Sequence, residues 1–170
     1  MNKVKAAAGF SLIELLIVVA IIGIISAIAI PNLLASRRAA NEGVAIAALR
    51  VISSSEHTYQ ATAGGGSFGD LAALNGEKLI DDVVAGATIA GPGIAKSGYL
   101  FSASDIPSLG IPAFDVAAQP SVHITTSSIT GTGTRSFFIN ERGVIHYNAT
   151  AMAPTCTADT SRTVSDSALN

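Results

Sequence analysis

The chain has 170 residues and a formal charge of −2, with 49% hydrophobic, 5% aromatic and only 13% charged residues, where an average soluble domain carries about 25% charged residues. No Lys/Arg cluster is present to neutralise phosphates, so a basic nucleic-acid binder is excluded, as is disorder along the whole length. A single cysteine, Cys156, can close neither an internal disulfide nor a cysteine-based zinc site by itself.

The chain opens with Met1–Gly9, which carries Lys3 and Lys5. Phe10 to Ile30 follows as 21 residues with one ionisable side chain, Glu14. As a helix this stretch spans about 31 Å at ~1.5 Å per residue, enough to cross a ~30 Å hydrocarbon layer. Lys3 and Lys5 are nearly balanced by Arg37 and Arg38 downstream, with the N-terminus read as inside. Three readings compete for the segment: a secretory signal cut near Ala27-Ile28-Ala29, a passive anchor, and a filament-forming N-terminus processed at Gly9–Phe10. Glu14 decides among them. A carboxylate in an apolar span costs roughly 2–3 kcal/mol, and neither a discarded signal nor a plain anchor has a use for it.

Gly9-Phe10-Ser11-Leu12-Ile13-Glu14 resembles the processing motif of bacterial type IV pilins and of the related type II secretion pseudopilins. The resemblance implies that a prepilin peptidase cuts after Gly9 and N-methylates Phe10. It matches Glu14 to the acidic fifth residue of the mature chain, and Pro31 and Gly23 to the residues that kink or unwind the helix. The close match covers about Lys3 to Arg38. It implies an inner-membrane precursor with its C-terminus in the periplasm, then an extracellular filament built of copies of the chain by a pilus assembly machinery. It further implies a structural role with no catalytic residue, cofactor or metal. A pseudopilin is the nearest alternative, and a secreted or anchored protein with a merely targeting N-terminus is the alternative from another class. The physics is independent of the resemblance. Residues i and i+4 share a helix face, so Glu14 lies one turn from the amine that cleavage would create on Phe10. In hydrocarbon the amine of a neighbouring copy is its natural partner.

Leu33 to Gln60 is Ala-rich and broken only by Gly43. Val44, Ala45, Ala48, Leu49, Val51 and Ile52 recur at helical spacing, with Arg37, Arg38, Asn41, Glu42, Arg50 and Glu56 assigned to the opposite face. The expected helix over residues 10–62 is thus apolar in its first half, 10–30, and amphipathic in its second, about 78 Å in all at ~1.5 Å per residue. Pro31 is expected to kink or locally melt it, and Gly64-Gly65-Gly66 to stop it.

Residues 63–98 read as a connector with short helices at Asp70–Leu74 and Lys78–Val84. Residues 99–153 read as an antiparallel sheet with strands at Tyr99–Ser102, Val122–Ile129, Ser136–Ile139 and Val144–Tyr147. The last two flank the turn Asn140-Glu141-Arg142-Gly143. Val44, Leu49 and Ile52 are expected to pack on Phe101, Val122, Phe137 and Ile145. Residues 154–170 read as a Ser/Thr-rich surface tail. The expected fold class is α+β, a long N-terminal helix with an antiparallel sheet packed on it, as in pilins. Once Lys3, Lys5 and Glu14 are set aside, eight basic residues face eleven acids, leaving the soluble part near −3.

Other motifs are weak. Gly64-x-Gly66-x-x-Gly69 fits a dinucleotide fingerprint but follows a helix, not a strand. His57, His123 and His146 lack metal-ligand spacing, and His146 reads as solvent-facing. Asp159 and Asp166 lack a calcium-loop pattern. Asn148-Ala149-Thr150 is a glycosylation sequon.

Overall fold

A computed structural model describes residues 9–89, 94–106, 111–122 and 131–149, and the backbone of residues 167–168. Helix α1 runs from Leu12 to Ala61 and passes through Pro31 without ending. The chain divides into two compact units, Met1–Ser36 and Arg37–Asn170.

The first unit is the apolar half of α1. Its entry is capped by its own sequence: the Ser11 amide donates to Glu14 Oε2 at 2.9 Å, the carboxylate half of a capping box.

The second unit is built on the other half of α1. That half ends where expected. Gly65 and Gly66 adopt φ of +59° and +99°, the left-handed region in which glycine carries no Cβ penalty. Their neighbour Gly64 lies so close to the Ser67 carbonyl and the Tyr59 ring that a Cβ would collide with both. Two short helices follow, α2 (Leu71–Gly76) and α3 (Asp82–Gly86). Asp70 Oδ1 caps α2 through the Ala73 amide at 2.7 Å, and Asp81 Oδ1 caps α3 through the Val84 amide at 2.6 Å. The expected helix from Lys78 therefore starts late: Lys78 has a φ of +56° and Asp81 sets the first turn.

Among the described residues the sheet has five strands in sequential antiparallel order: β1 (Tyr99–Asp105), β2 (Phe114–Pro120), β3 (Ser136–Asn140), β4 (His146–Asn148) and β5 (Ser167–Ala168). The β3–β4 hairpin turns as expected. Gly143 has a φ of +74°, its amide donates to the Asn140 carbonyl at 2.9 Å, and the Arg142 amide donates to Asn140 Oδ1. Strand β2 was not expected. Its Phe114, Val116 and Ala118 are buried in alternation with half-buried Asp115, Ala117 and Gln119. The expected strand at Val122–Ile129 lies outside the described residues except for Val122, which is 48% exposed in a bend. Within the expected surface tail, the backbone of β5 pairs with β4.

Leu49, Ile52, Phe101, Phe137 and Ile145 are buried in one apolar core. Val44 and Val122 do not join it. Val44 is 39% exposed because the buried seam of α1 is Glu42, Ala45, Leu49, Ile52 and Glu56, spaced three and four residues apart. The sequence assignment of Glu42 and Glu56 to the polar face is thereby corrected: both acids stand on the core stripe. Asn41, placed on the same polar face, is half-buried and donates to the Thr132 carbonyl at 2.9 Å.

Candidate assembly site

The residues singled out for processing stand at the very start of the described chain. Gly9 and Phe10 are exposed and lie outside the helix, and Phe10 is 80% accessible. A Cβ on Gly9 would meet none of the described residues. One turn on, Glu14 is exposed and its Oε2 is held by the Ser11 amide. Leu12, Ile13, Leu16, Ile17, Val19, Ile22 and Ile25 are each at least half exposed, and this helix is long and apolar enough to cross a membrane. The first unit therefore presents an apolar rod with a single acid near its end. Gly23 and Pro31 both lie within the continuous helix.

The two buried acids of the second unit are functional groups that the sequence reading misassigned. Glu42 Oε1 accepts hydrogen bonds from the Thr134 amide (2.9 Å) and hydroxyl (2.6 Å), while Oε2 accepts from Arg135 Nε (2.9 Å) and Nη2 (2.7 Å). Burial pushes the Glu42 carboxyl up, but the Thr134 and Arg135 hydrogen bonds and the Arg135 charge outweigh it, holding it below the ordinary value. The Arg135 guanidinium also stands over the Phe137 and Tyr147 rings at 5.8 and 5.4 Å. Tyr99 donates to the Arg135 carbonyl at 2.7 Å. Its burial and the nearby Glu42 charge raise the phenol well above its usual range, against opposing effects of Arg135. This cluster fixes α1 to the entry of β3.

Glu56 meets no such cation among the described residues. Its Oε2 accepts from the Gly69 amide at 2.9 Å, and its Oε1 is enclosed without a hydrogen-bond partner among the described residues. The Gly69 amide that a bound phosphate would require is thus already engaged, and the Gly64–Gly69 stretch serves as the turn between α1 and α2.

The remaining candidates are not gathered into a site. His57 meets Phe68 and Phe114 edge-on at 5.8 and 5.5 Å, and His146 lies half-buried in β4. Among the described residues no three His, Cys, Asp or Glu side chains come together as a metal site. Asn148 ends β4. His123, Thr150, Cys156, Asp159 and Asp166 lie outside the described residues.

Comparison with known proteins bears on the N-terminal segment. The family described as the prokaryotic N-terminal methylation motif matches residues 4–30. The type IV wide pilus major component PilA4 of Thermus thermophilus is 52% identical over 56 residues, which cover 33% of this chain and 43% of that relative. The chain thus matches less than half the relative's length. No solved structure matches the chain. The methylation motif at the N-terminus and the similarity to a type IV pilus component support a type IV pilin, and the long helix with an antiparallel sheet after it is consistent with the pilin fold.

Proposed function

We propose that this chain is the structural subunit of a type IV pilus-like extracellular filament. The precursor is stored in the inner membrane through residues 10–30, with its C-terminal unit in the periplasm. A prepilin peptidase cuts after Gly9 and methylates the new N-terminus on Phe10. An assembly machinery then withdraws the subunit from the lipid and adds it to a helical homopolymer.

The observation that carries this reading is the lone Glu14 on an otherwise apolar, uncovered helix, one turn from an exposed Gly9–Phe10 junction. In lipid a continuous helix satisfies its own backbone, so residues 10–30 are stable there as a single span. The carboxylate is the misfit. A methylated ammonium on Phe10 of a neighbouring copy neutralises it, and in an apolar surround that attraction far exceeds its strength in water. The pairing also sets the axial step between copies, after which the aliphatic side chains pack helix on helix. Gly23 and Pro31 are the points at which the helix yields during assembly. Pro31 supplies no amide hydrogen and crowds the Ala27 carbonyl, and glycine lowers local helix stability by about 1 kcal/mol.

Intact-mass analysis of the protein from cells tests the proposal. The expected mass is that of a chain beginning at methylated Phe10; a chain beginning at Ile30, or an uncut chain, contradicts it. Electron microscopy of cells lacking the chain should show surface filaments lost. Filaments that persist while protein secretion fails would assign the chain to the pseudopilins instead.

A further inference from the structure

Glu56 is a fully buried acid for which filament assembly has no evident use. It lies in the penultimate turn of α1, and among the described residues its carboxyl has one hydrogen bond, which reaches thirteen residues ahead to the Gly69 amide. Gly69 is itself held close: a Cβ there would stand 3.1 Å from the Ala73 Cβ and 3.2 Å from the Tyr59 ring. The bond therefore closes the Gly64–Gly69 turn onto the helix it leaves.

The charges facing this carboxyl have the same sign as its ion. Asp70, the cap of α2, and Asp105, at the end of β1, both act on it repulsively. His57, the next residue of α1, is directed at Phe68 and Phe114. The contrast with Glu42, which meets Arg135 and Thr134, is complete. An ionised Glu56 would leave Oε1 charged, enclosed and unpartnered, an arrangement far costlier than a neutral acid in the same place.

We propose that the Glu56 carboxyl is a proton-operated latch between the end of α1 and the Gly64–Gly69 turn, closed while it is neutral and released when it ionises. Acid tightens the junction, and neutral to alkaline medium loosens it. Ionisation finds no cation beside the carboxyl among the described residues, so the charge reaches water by swinging the side chain out and giving up Gly69.

The direction of the pH effect follows from linkage. Burial pushes the carboxyl up, the Gly69 bond pulls it down, and the Asp105 and Asp70 charges push it up again, from an ordinary 4.5 to about 7. A group whose folded-state value is raised holds its proton longer when folded. Its stabilisation is fully present below about 4.5 and is lost progressively as pH rises to about 7.

The test is amide hydrogen exchange on the full mature chain in detergent, corrected for intrinsic rates. Protection at Gly69 should fall with rising pH by up to about tenfold per unit and level off near neutrality. Glu56→Gln, which keeps an acceptor for Gly69 but cannot ionise, should show no such fall. An equal fall in both proteins overturns the latch. A carboxyl-carbon NMR titration of Glu56 in the unaltered chain decides the matter even if the variant does not fold. A midpoint near neutrality is expected, and a midpoint at or below the ordinary 4.5 overturns the proposal.

Discussion

The apolar half of α1, residues 12–30, carries one acid among side chains that the subunit itself leaves uncovered, whereas the half from Arg37 to Ala61 carries Glu42 and Glu56 inside a finished core. The comparison separates three ways of placing a carboxyl in an oily setting. Glu42 is answered within the chain by Arg135 and Thr134. Glu56 is answered by one amide, that of Gly69, and we assign the rest to its neutral form. Glu14 has the Ser11 amide on one oxygen, and we assign its charge partner to another copy. On the proposed assembly, what differs is whether the partner belongs to the same chain, and that difference would separate an element that completes a subunit from one that joins subunits.

The largest effect is expected at Glu14. Glu14→Val should leave the protein in the membrane and abolish its incorporation into fibres, seen by microscopy and by fractionation. Normal fibres of the variant would erase the distinction between the two halves. The packed half should respond in stability instead, measured by urea unfolding of the full chain in detergent. Tyrosine fluorescence is a suitable signal because the chain has no tryptophan. Leu49→Ala, at a fully buried site, should cost about 2–5 kcal/mol. Arg135→Ala strips Glu42 of its cation but leaves the Thr134 bonds. Because the arginine side chain is 38% exposed, the cost should be about 2 kcal/mol, below that of breaking a fully enclosed pair. Glu42 sits below its ordinary 4.5, so its contribution is present above about that pH and fades as pH falls through the folded value. The same variant should therefore lose less stability on acidification than the parent. Gly43→Ala should stabilise the subunit by about 0.5–1 kcal/mol, since a Cβ there meets nothing. Val44→Ala should change stability by no more than about 0.5 kcal/mol.

The motif Gly9-Phe10 with Glu14, the apolar run and the Gly64–Gly66 stop are strong local signals, and they made the long helix legible. The β3–β4 hairpin was legible because Gly143 supplies a positive φ after Asn140. The face of the packed half was not. Counting apolar residues favoured Val44, but the true seam runs through Glu42, Ala45, Leu49, Ile52 and Glu56, and its two acids disguise it. The regular three-and-four spacing was the available signal. Thr134 and Arg135, 92 and 93 residues away in sequence, explain why Glu42 can be inside, and no local pattern carries that information. Strand β2 was obscured by Asp115, two alanines and Pro120, although Phe114, Val116 and Ala118 alternate properly. Likewise β5 takes its place by pairing with β4, a long-range event in a polar stretch.

The most direct measurement is a structure of the assembled fibre at a resolution that places side chains. The expected result is the Glu14 carboxyl of each copy within hydrogen-bonding reach of the methylated Phe10 amine of an adjacent copy. A carboxyl buried against aliphatic side chains with no amine near it would contradict the assignment of its partner and the assembly mechanism built on it.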